Sequence, residues 1–383
     1  MAEIVLGLAT SHSPQLRIAP EQWQLLVEKD QKDPRFDYPR LLRQANPAIA
    51  EELTGEVFQK KYQACQNALA ALKEKLAAAR PDVAIVIGDD QHEQFFEENM
   101  PMFSIYYSET VEQKARAAHG RASWWNAAAA HPDEVQKVSP AEPELARHLI
   151  KALIAKGFDI ATSNKLRSQI GVGHAYTFVI NRVLAGDSMP MVPMVPLSIN
   201  AFYPPNQPLP GRCYDLGKAL AQAVQSWRAD KKVAVIASGG LSHFIIDEEI
   251  DRMSLDALLQ RDREKLSRLP LERLMVLGTG EILNWIAAAG APRALGGGHD
   301  LGVARPPRGD GHRAVVEVVV DREAAAGLEQ ARDALHDVFW PCDEAQHPAR
   351  VGQVERAGLQ VQRAELLHVA GLGRELREPP GPR

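Results

Sequence analysis

The sequence predicts an α/β protein: a central sheet, mostly parallel or mixed, flanked by helices on both faces as a single enlarged domain. Three observations predict it. Short apolar runs at residues 4–9, 83–87 and 233–237 have the length and β-branched content of strands buried on both faces. Longer segments with apolar residues at helical spacing separate them, 55–79 being the clearest. Each run also ends in polar residues that include a histidine, as expected where a sheet delivers its loops to one carboxyl edge.

Taken in order, residues 4–9 form the first strand, and Pro14 stops it after Thr10-Ser11-His12-Ser13. Helices follow at 21–29, 38–45 and 55–79, where Val57, Tyr62, Cys65, Leu69, Leu72 and Leu76 fall roughly at helical spacing and Arg80-Pro81-Asp82 ends the last. Such a crossover leads into the strand at 83–87. A strand is expected at 102–107, while 115–138 is alanine-rich and unassigned. A helix at 142–156 closed by Gly157 precedes a strand at 158–162, and His174 stands at the start of a helix or strand behind Gly171 and Gly173. Pro193 and Pro196 would keep a strand at 191–199 irregular or at an edge. Helices are predicted at 216–227, 256–266 and 278–290, the last with Gly290 as its C-cap. Beyond it lie a strand-like run at 314–320 and a helical stretch at 324–339.

Composition narrows the function classes. The formal net charge is −5 with 24% charged residues, which gives no general electrostatic reason to bind nucleic acid or an anionic membrane. A small molecule is the expected partner. Cys65, Cys213 and Cys342 are widely spaced and read as reduced thiols of a cytoplasmic enzyme. The N-terminus reads as a strand and not as a signal peptide, and no apolar run approaches the length of a membrane span.

The chemistry-bearing candidates are His12, His92 and His243, each after an apolar strand, and Glu281 near a helix start. If the strands are parallel neighbours, their carboxyl ends converge and residues distant in sequence share one cleft. Two imidazoles and one carboxylate on one face of a metal suit non-heme Fe(II) and oxygen chemistry, and a further histidine can move protons. Against this, a single histidine after a strand is commonly an ordinary loop residue, and Glu281 alone is a favourable acid at a helix N-terminus. Asp89, Asp90 and Glu93 read as alternative ligands or as solvated loop charges. Gly171 and Gly173 lack the third glycine of a dinucleotide fingerprint.

Six segments in order, Thr10-Ser11-His12-Ser13-Pro14, Gly88-Asp89-Asp90-Gln91-His92-Glu93, Gly173-His174-Ala175, Tyr203-Pro204-Pro205, Gly239-Gly240-Leu241-Ser242-His243 and Gly280-Glu281, resemble the class III extradiol ring-cleavage dioxygenases. The form of the second segment is most similar to the branch acting on 3-O-methylgallate and gallate. The resemblance covers roughly residues 3–292 and implies that His12, His92 and Glu281 ligate Fe(II), that His243 is the acid/base histidine, and that His174 holds substrate or oxygen. It further implies an aromatic diol such as protocatechuate, gallate or 3-O-methylgallate with O2 as substrates, a homodimer, and in some relatives a small subunit that lids the pocket.

Residues 293–383 do not resemble the family's closing segment, and the composition changes there: the last lysine is Lys265, the last tyrosine Tyr214 and the last isoleucine Ile286. The expected organisation is a catalytic domain over 1–292 and a distinct segment over 293–383, read as a lineage-specific replacement or a shifted reading frame. Two other functions compete. One is a Zn(II)- or Mn(II)-dependent hydrolase with Ser242 or Asp90 at work; the other is a non-catalytic accessory subunit.

Overall fold

The computed structural model describes residues 1–34, 37–45, 47, 49–115, 135–167, 171–185, 190–242, 245–260, 262–276, 278–293, 303–304 and 318–319. These lie in the first of two compact units, Met1–Leu328. Cys342, the stretch 324–339 and most of 115–138 fall outside the described residues.

The centre is a six-stranded sheet of β1 (Glu3–Thr10), β2 (Val83–Asp89), β3 (Phe103–Tyr106), β6 (Ile160–Ser163), β7 (Met194–Ile199) and β8 (Lys232–Ser238), in the order β1-β8-β2-β7-β3-β6. The first four strands of that order run parallel; β3 is antiparallel to β7, and β6 is parallel to β3. The sheet is therefore mixed, as the sequence predicts. Two small antiparallel pairs accompany it: β4 (Thr110–Gln113) with β5 (Lys137–Pro140), and β9 (Val303–Ala304) with β10 (Val318–Val319). The last strand falls inside the run expected at 314–320.

Alternation along each strand sends side chains to two cores. Ile85, Ile87, Val195, Leu197, Val233 and Val235 bury one face against α5 (Pro143–Ala155), α7 (Pro210–Ser226), α8 (Glu248–Leu259) and α11 (Ile282–Arg293). Leu6, Leu8, Ala84, Val86, Met194, Ala234 and Ile236 bury the other against α4 (Gly55–Ala79) and α6 (His174–Val179). The long helix α4 starts because Thr54 accepts a hydrogen bond from the Val57 amide at 3.4 Å, and it buries Cys65, Leu69, Leu72 and Leu76 along one stripe. It is the crossover between β1 and β2. The three helices before it, α1 (Gln24–Lys32), α2 (Tyr38–Gln44) and α3 (Ile49–Glu52), bury only Val27. Cys65 and Cys213 are buried in different cores.

Three expectations are corrected. The strand ending at Ile199 is central, between β2 and β3, and not an edge. Pro193 lies before it, and Pro196 sits just past the Leu197–Ile105 pair where the β3 ladder stops, so its missing N–H leaves few partners unserved. The helix expected at 256–266 is two helices, α8 and α9 (Arg263–Ser267), because Asp262 caps the second by accepting from the Lys265 amide at 3.1 Å. Gly290 is not a C-cap. It lies inside α11, where a Cβ would strike the Tyr214 carbonyl oxygen, and on α7 a Cβ at Gly217 would strike that of Ala287. Glycine at both positions lets two helix backbones touch.

Candidate active site

The parallel strands β1, β8 and β2 end together, and their carboxyl ends supply His12, Ser238 and Asp89, all buried. Glu281 approaches from the turn before α11, also buried, and places Oε1 3.4 Å from His12 Nε2. His174 is the first residue of α6, with Gly173 as N-cap, and its ring meets that of His12 edge-on at 4.6 Å. Among the described residues, His12, Asp89 and His174 each offer a ligand atom within 4.8 Å of the others.

The tautomer of His12 is fixed by its surroundings. Ser238 donates its hydroxyl proton to the Ala175 carbonyl at 2.7 Å, so at 3.0 Å it accepts from His12 Nδ1–H. The lone pair is thereby left on Nε2, which is buried without a hydrogen-bond partner and faces a carboxylate. Burial pulls the His12 pKa down, but the charge of Glu281, with that of Asp89 behind it, outweighs it and the net shift is upward. Asp89 is pushed up to about 7, first by burial and then by the like charge of Glu281. A buried nitrogen lone pair beside two carboxylates that repel each other is a donor set suited to a cation.

The neighbouring polar groups hold these atoms in place. Gln91 Nε2 donates to Glu281 Oε1 at 3.1 Å, and Asn284 Nδ2 donates to Asp89 Oδ1 at 3.0 Å and to the Ser238 carbonyl at 2.8 Å. Glu93 grips His174 twice, accepting from its backbone N–H at 2.8 Å and from Nδ1–H at 2.9 Å. A Cβ at Gly173 would run into the Glu93 carboxylate and push it out of this grip. Asp90 is no solvated charge: it accepts from the amides of Glu93, Gln94 and Phe95 and closes the loop after β2. Burial, followed by the nearby Glu93, raises its pKa.

Of the sequence candidates, the structure brings together His12, Glu281 and His174. The contacts of His92 are with other residues. Its backbone is left-handed at φ 56°, and its ring is stacked on Tyr203 at 3.9 Å and on Phe96 at 5.4 Å. Its Nε2 is buried, 3.4 Å from Glu97 Oε1 and without a hydrogen bond. Burial, then the charge of Asp90, pushes the Tyr203 hydroxyl up to about 12, so it stays protonated at neutral pH. His243 lies outside the described residues. Sequence reasoning did not single out Ser238, Gln91 or Asn284, and it left Asp89 and Glu93 undecided between ligand and loop charge. The one available signal was position, since Ser238 and Asp89 each end a strand that meets β1's neighbourhood.

Among the described residues no helix is long and apolar enough to cross a membrane. Comparison with known proteins adds relatives. A gallate dioxygenase of Pseudomonas putida is 31% identical over 156 residues, which is 38% of this chain and 44% of the relative. A 2,3-dihydroxyphenylpropionate/2,3-dihydroxicinnamic acid 1,2-dioxygenase of Comamonas testosteroni is 28% identical over 185 residues, 47% of this chain and 49% of the relative. Its namesake from Cupriavidus necator is 28% identical over 174 residues, 45% and 47%. The chain thus spans about half the length of the curated relatives it matches. Residues 46–298 match the family described as the catalytic LigB subunit of aromatic ring-opening dioxygenase, a range that takes in His92, His174, His243 and Glu281 and begins after His12. With that match covering well over half of the chain, and the strand-end cluster in place, the protein belongs to the LigB family of aromatic ring-opening dioxygenases.

Proposed function

We propose that the protein is an Fe(II)-dependent extradiol dioxygenase that opens the ring of a catechol-type aromatic acid such as 3-O-methylgallate, gallate or protocatechuate. The observation that carries this reading is the buried Nε2 of His12, outside any hydrogen bond and 3.4 Å from the Glu281 carboxylate. Family membership supplies the reaction class. When bound, ferrous iron supplies a Lewis-acidic, one-electron-active centre for an aromatic diol and dioxygen. His12 and Glu281 would hold it, with His92 as the third ligand.

The chain's own groups do the rest. Ser238 keeps the His12 lone pair on Nε2, and Gln91 orients Glu281. Glu93 fixes His174 through Nδ1, leaving Nε2 to take a hydrogen bond from a substrate hydroxyl. His243 takes a proton from a diol hydroxyl and returns it as the ring opens. Both atoms of dioxygen enter the product, so no outside reductant is consumed. We extend the proposal to a cytoplasmic homodimer whose pocket a small partner subunit can lid; light scattering of the purified protein checks the oligomeric state.

The test is oxygen uptake by protein loaded with Fe(II) under anaerobic conditions and offered the three acids in turn. One O2 consumed per coloured ring-opened product is expected. Loss of iron is expected in His12→Ala and Glu281→Ala, and loss of turnover with iron retained in His243→Ala. His92→Ala and Asp89→Asn separate two ligand sets: iron lost only in the first means the His92 ring turns away from Tyr203 to bind, and iron lost only in the second favours the cluster of His12, Asp89 and His174. Ester hydrolysis with Zn(II) or Mn(II) and no oxygen uptake would overturn the reading in favour of a hydrolase.

A further inference from the structure

Resting on the ring-opening activity just proposed, we infer that Asp251 is a positioning residue for that reaction: through Ser242 it holds the backbone that leads into His243. The chain leaving β8 is constrained from its first residue. The Gly239 amide donates to the Thr10 carbonyl at 3.0 Å, and a Cβ on Gly239 would lie 2.8 Å from the Glu281 carbonyl oxygen. A Cβ on Gly240 would lie 3.6 Å from both Glu281 Oε2 and Ser11 Oγ. The segment therefore passes directly over the carboxylate proposed to bind the metal.

Two residues later the chain is gripped from the other side. Asp251, on α8, accepts from the Ser242 amide at 2.9 Å through Oδ1 and from the Ser242 hydroxyl at 2.6 Å through Oδ2. The same hydroxyl oxygen accepts from the Asp247 amide at 2.9 Å. Both ends of the 242–247 span thus close on one buried hydroxyl, with His243 the residue next to it in sequence. Asp247 in turn caps α8 by accepting from the Ile250 amide at 3.1 Å, and Arg273, on α10 (Leu271–Val276), donates to both Asp247 oxygens at 2.7 Å and to Glu249 at 2.9 Å. The base of the loop is therefore tied to two helices. Burial pushes the Asp251 carboxyl up to about 6, so holding it there as a charge costs stability that closing a turn would not demand. A misplacement of about 1 Å at an acid/base group can cost on the order of 100-fold in rate.

The experiment is steady-state ring cleavage by the iron-loaded full chain. Asp251→Asn is isosteric and relieves a buried charge, so the variant is expected to fold, with circular dichroism and iron content as checks. Asp251→Asn and Ser242→Ala should each lower kcat roughly 10-fold or more, with KM within about twofold and iron content unchanged. Because they act on one device, the double variant should be no slower than the worse single, and Ser242→Thr, which keeps the hydroxyl, should recover most of the loss. Parental kcat in Asp251→Asn, a loss confined to KM, or losses that multiply in the double variant would overturn the inference. Failure of the underlying reading shows separately, as an iron-loaded parent that opens no diol.

Discussion

The hydroxyl of Ser238 decides which nitrogen of His12 can act, because it accepts from Nδ1–H while giving its own proton to Ala175. Ser238→Ala should weaken Fe(II) binding about 10- to 100-fold, the usual cost of losing a partner behind a ligand. Competition against a calibrated chelator measures it, and unchanged affinity would mean that burial alone holds the ring. Gly173→Ala should uncouple Glu93 from His174 and remove turnover while leaving iron content near the parental level, since the new Cβ occupies the Glu93 carboxylate's place. His12 and Glu281 were legible as candidates because strand ends and helix starts are where a sheet concentrates chemistry, whereas His174 entered only through the family resemblance of its segment. Asp89 and Glu93 were not separable from solvated charges, since nothing in a one-dimensional pattern reports that one faces a buried histidine and the other reaches across to α6. The aromatic stack on His92 was equally hidden: Tyr203 is remote in sequence, and ring packing leaves no periodic trace.

At the scale of elements, the strands and the long crossover helix were readable from runs and stripes, and their order in the sheet was not. A central strand with a proline inside it contradicts the usual rule, and it is tolerated because its antiparallel ladder has ended by Pro196. Helix boundaries failed where a single cap overrode the pattern, as Asp262 does between α8 and α9. Gly290 was read as a terminator because glycine usually is one after an apolar run; only packing shows it as the point where α11 meets Tyr214 and Gly217. Gly290→Ala should therefore destabilise the protein by about 1–3 kcal/mol, as overpacking against rigid backbone does, against a small gain in helix propensity. The urea midpoint should fall by the corresponding amount with the slope unchanged.

For the molecule as a whole, two linked equilibria should be visible in stability. A divalent cation that binds only the folded chain adds about 2.7 kcal/mol at a free concentration 100 times its Kd, so anaerobic Fe(II) should raise the melting temperature and His12→Ala should abolish the rise. Protons act through Asp251, whose carboxyl shifts from its ordinary 3.8 to about 6 on folding because of burial. Between those values the folded state binds more protons than the unfolded one, so stability present at low pH is lost as pH rises through about 4–6. Asp251→Asn lacks that titration, and its stability relative to the parent should climb over the same window by up to ~3 kcal/mol before solvent screening. A pH-independent difference would remove Asp251 as the source. His12 also ties the two halves of the architecture: through Ser238 it reaches Ala175 in the core beneath α4 and α6, and through Nε2 it reaches Glu281 at the head of α11 in the opposite core. A cation held there would act as a rivet between layers on either side of the sheet, so amide hydrogen exchange in α6 and α11 should slow together on loading and quicken together on stripping, coupling the cooperativity of the fold to occupancy of its chemical centre.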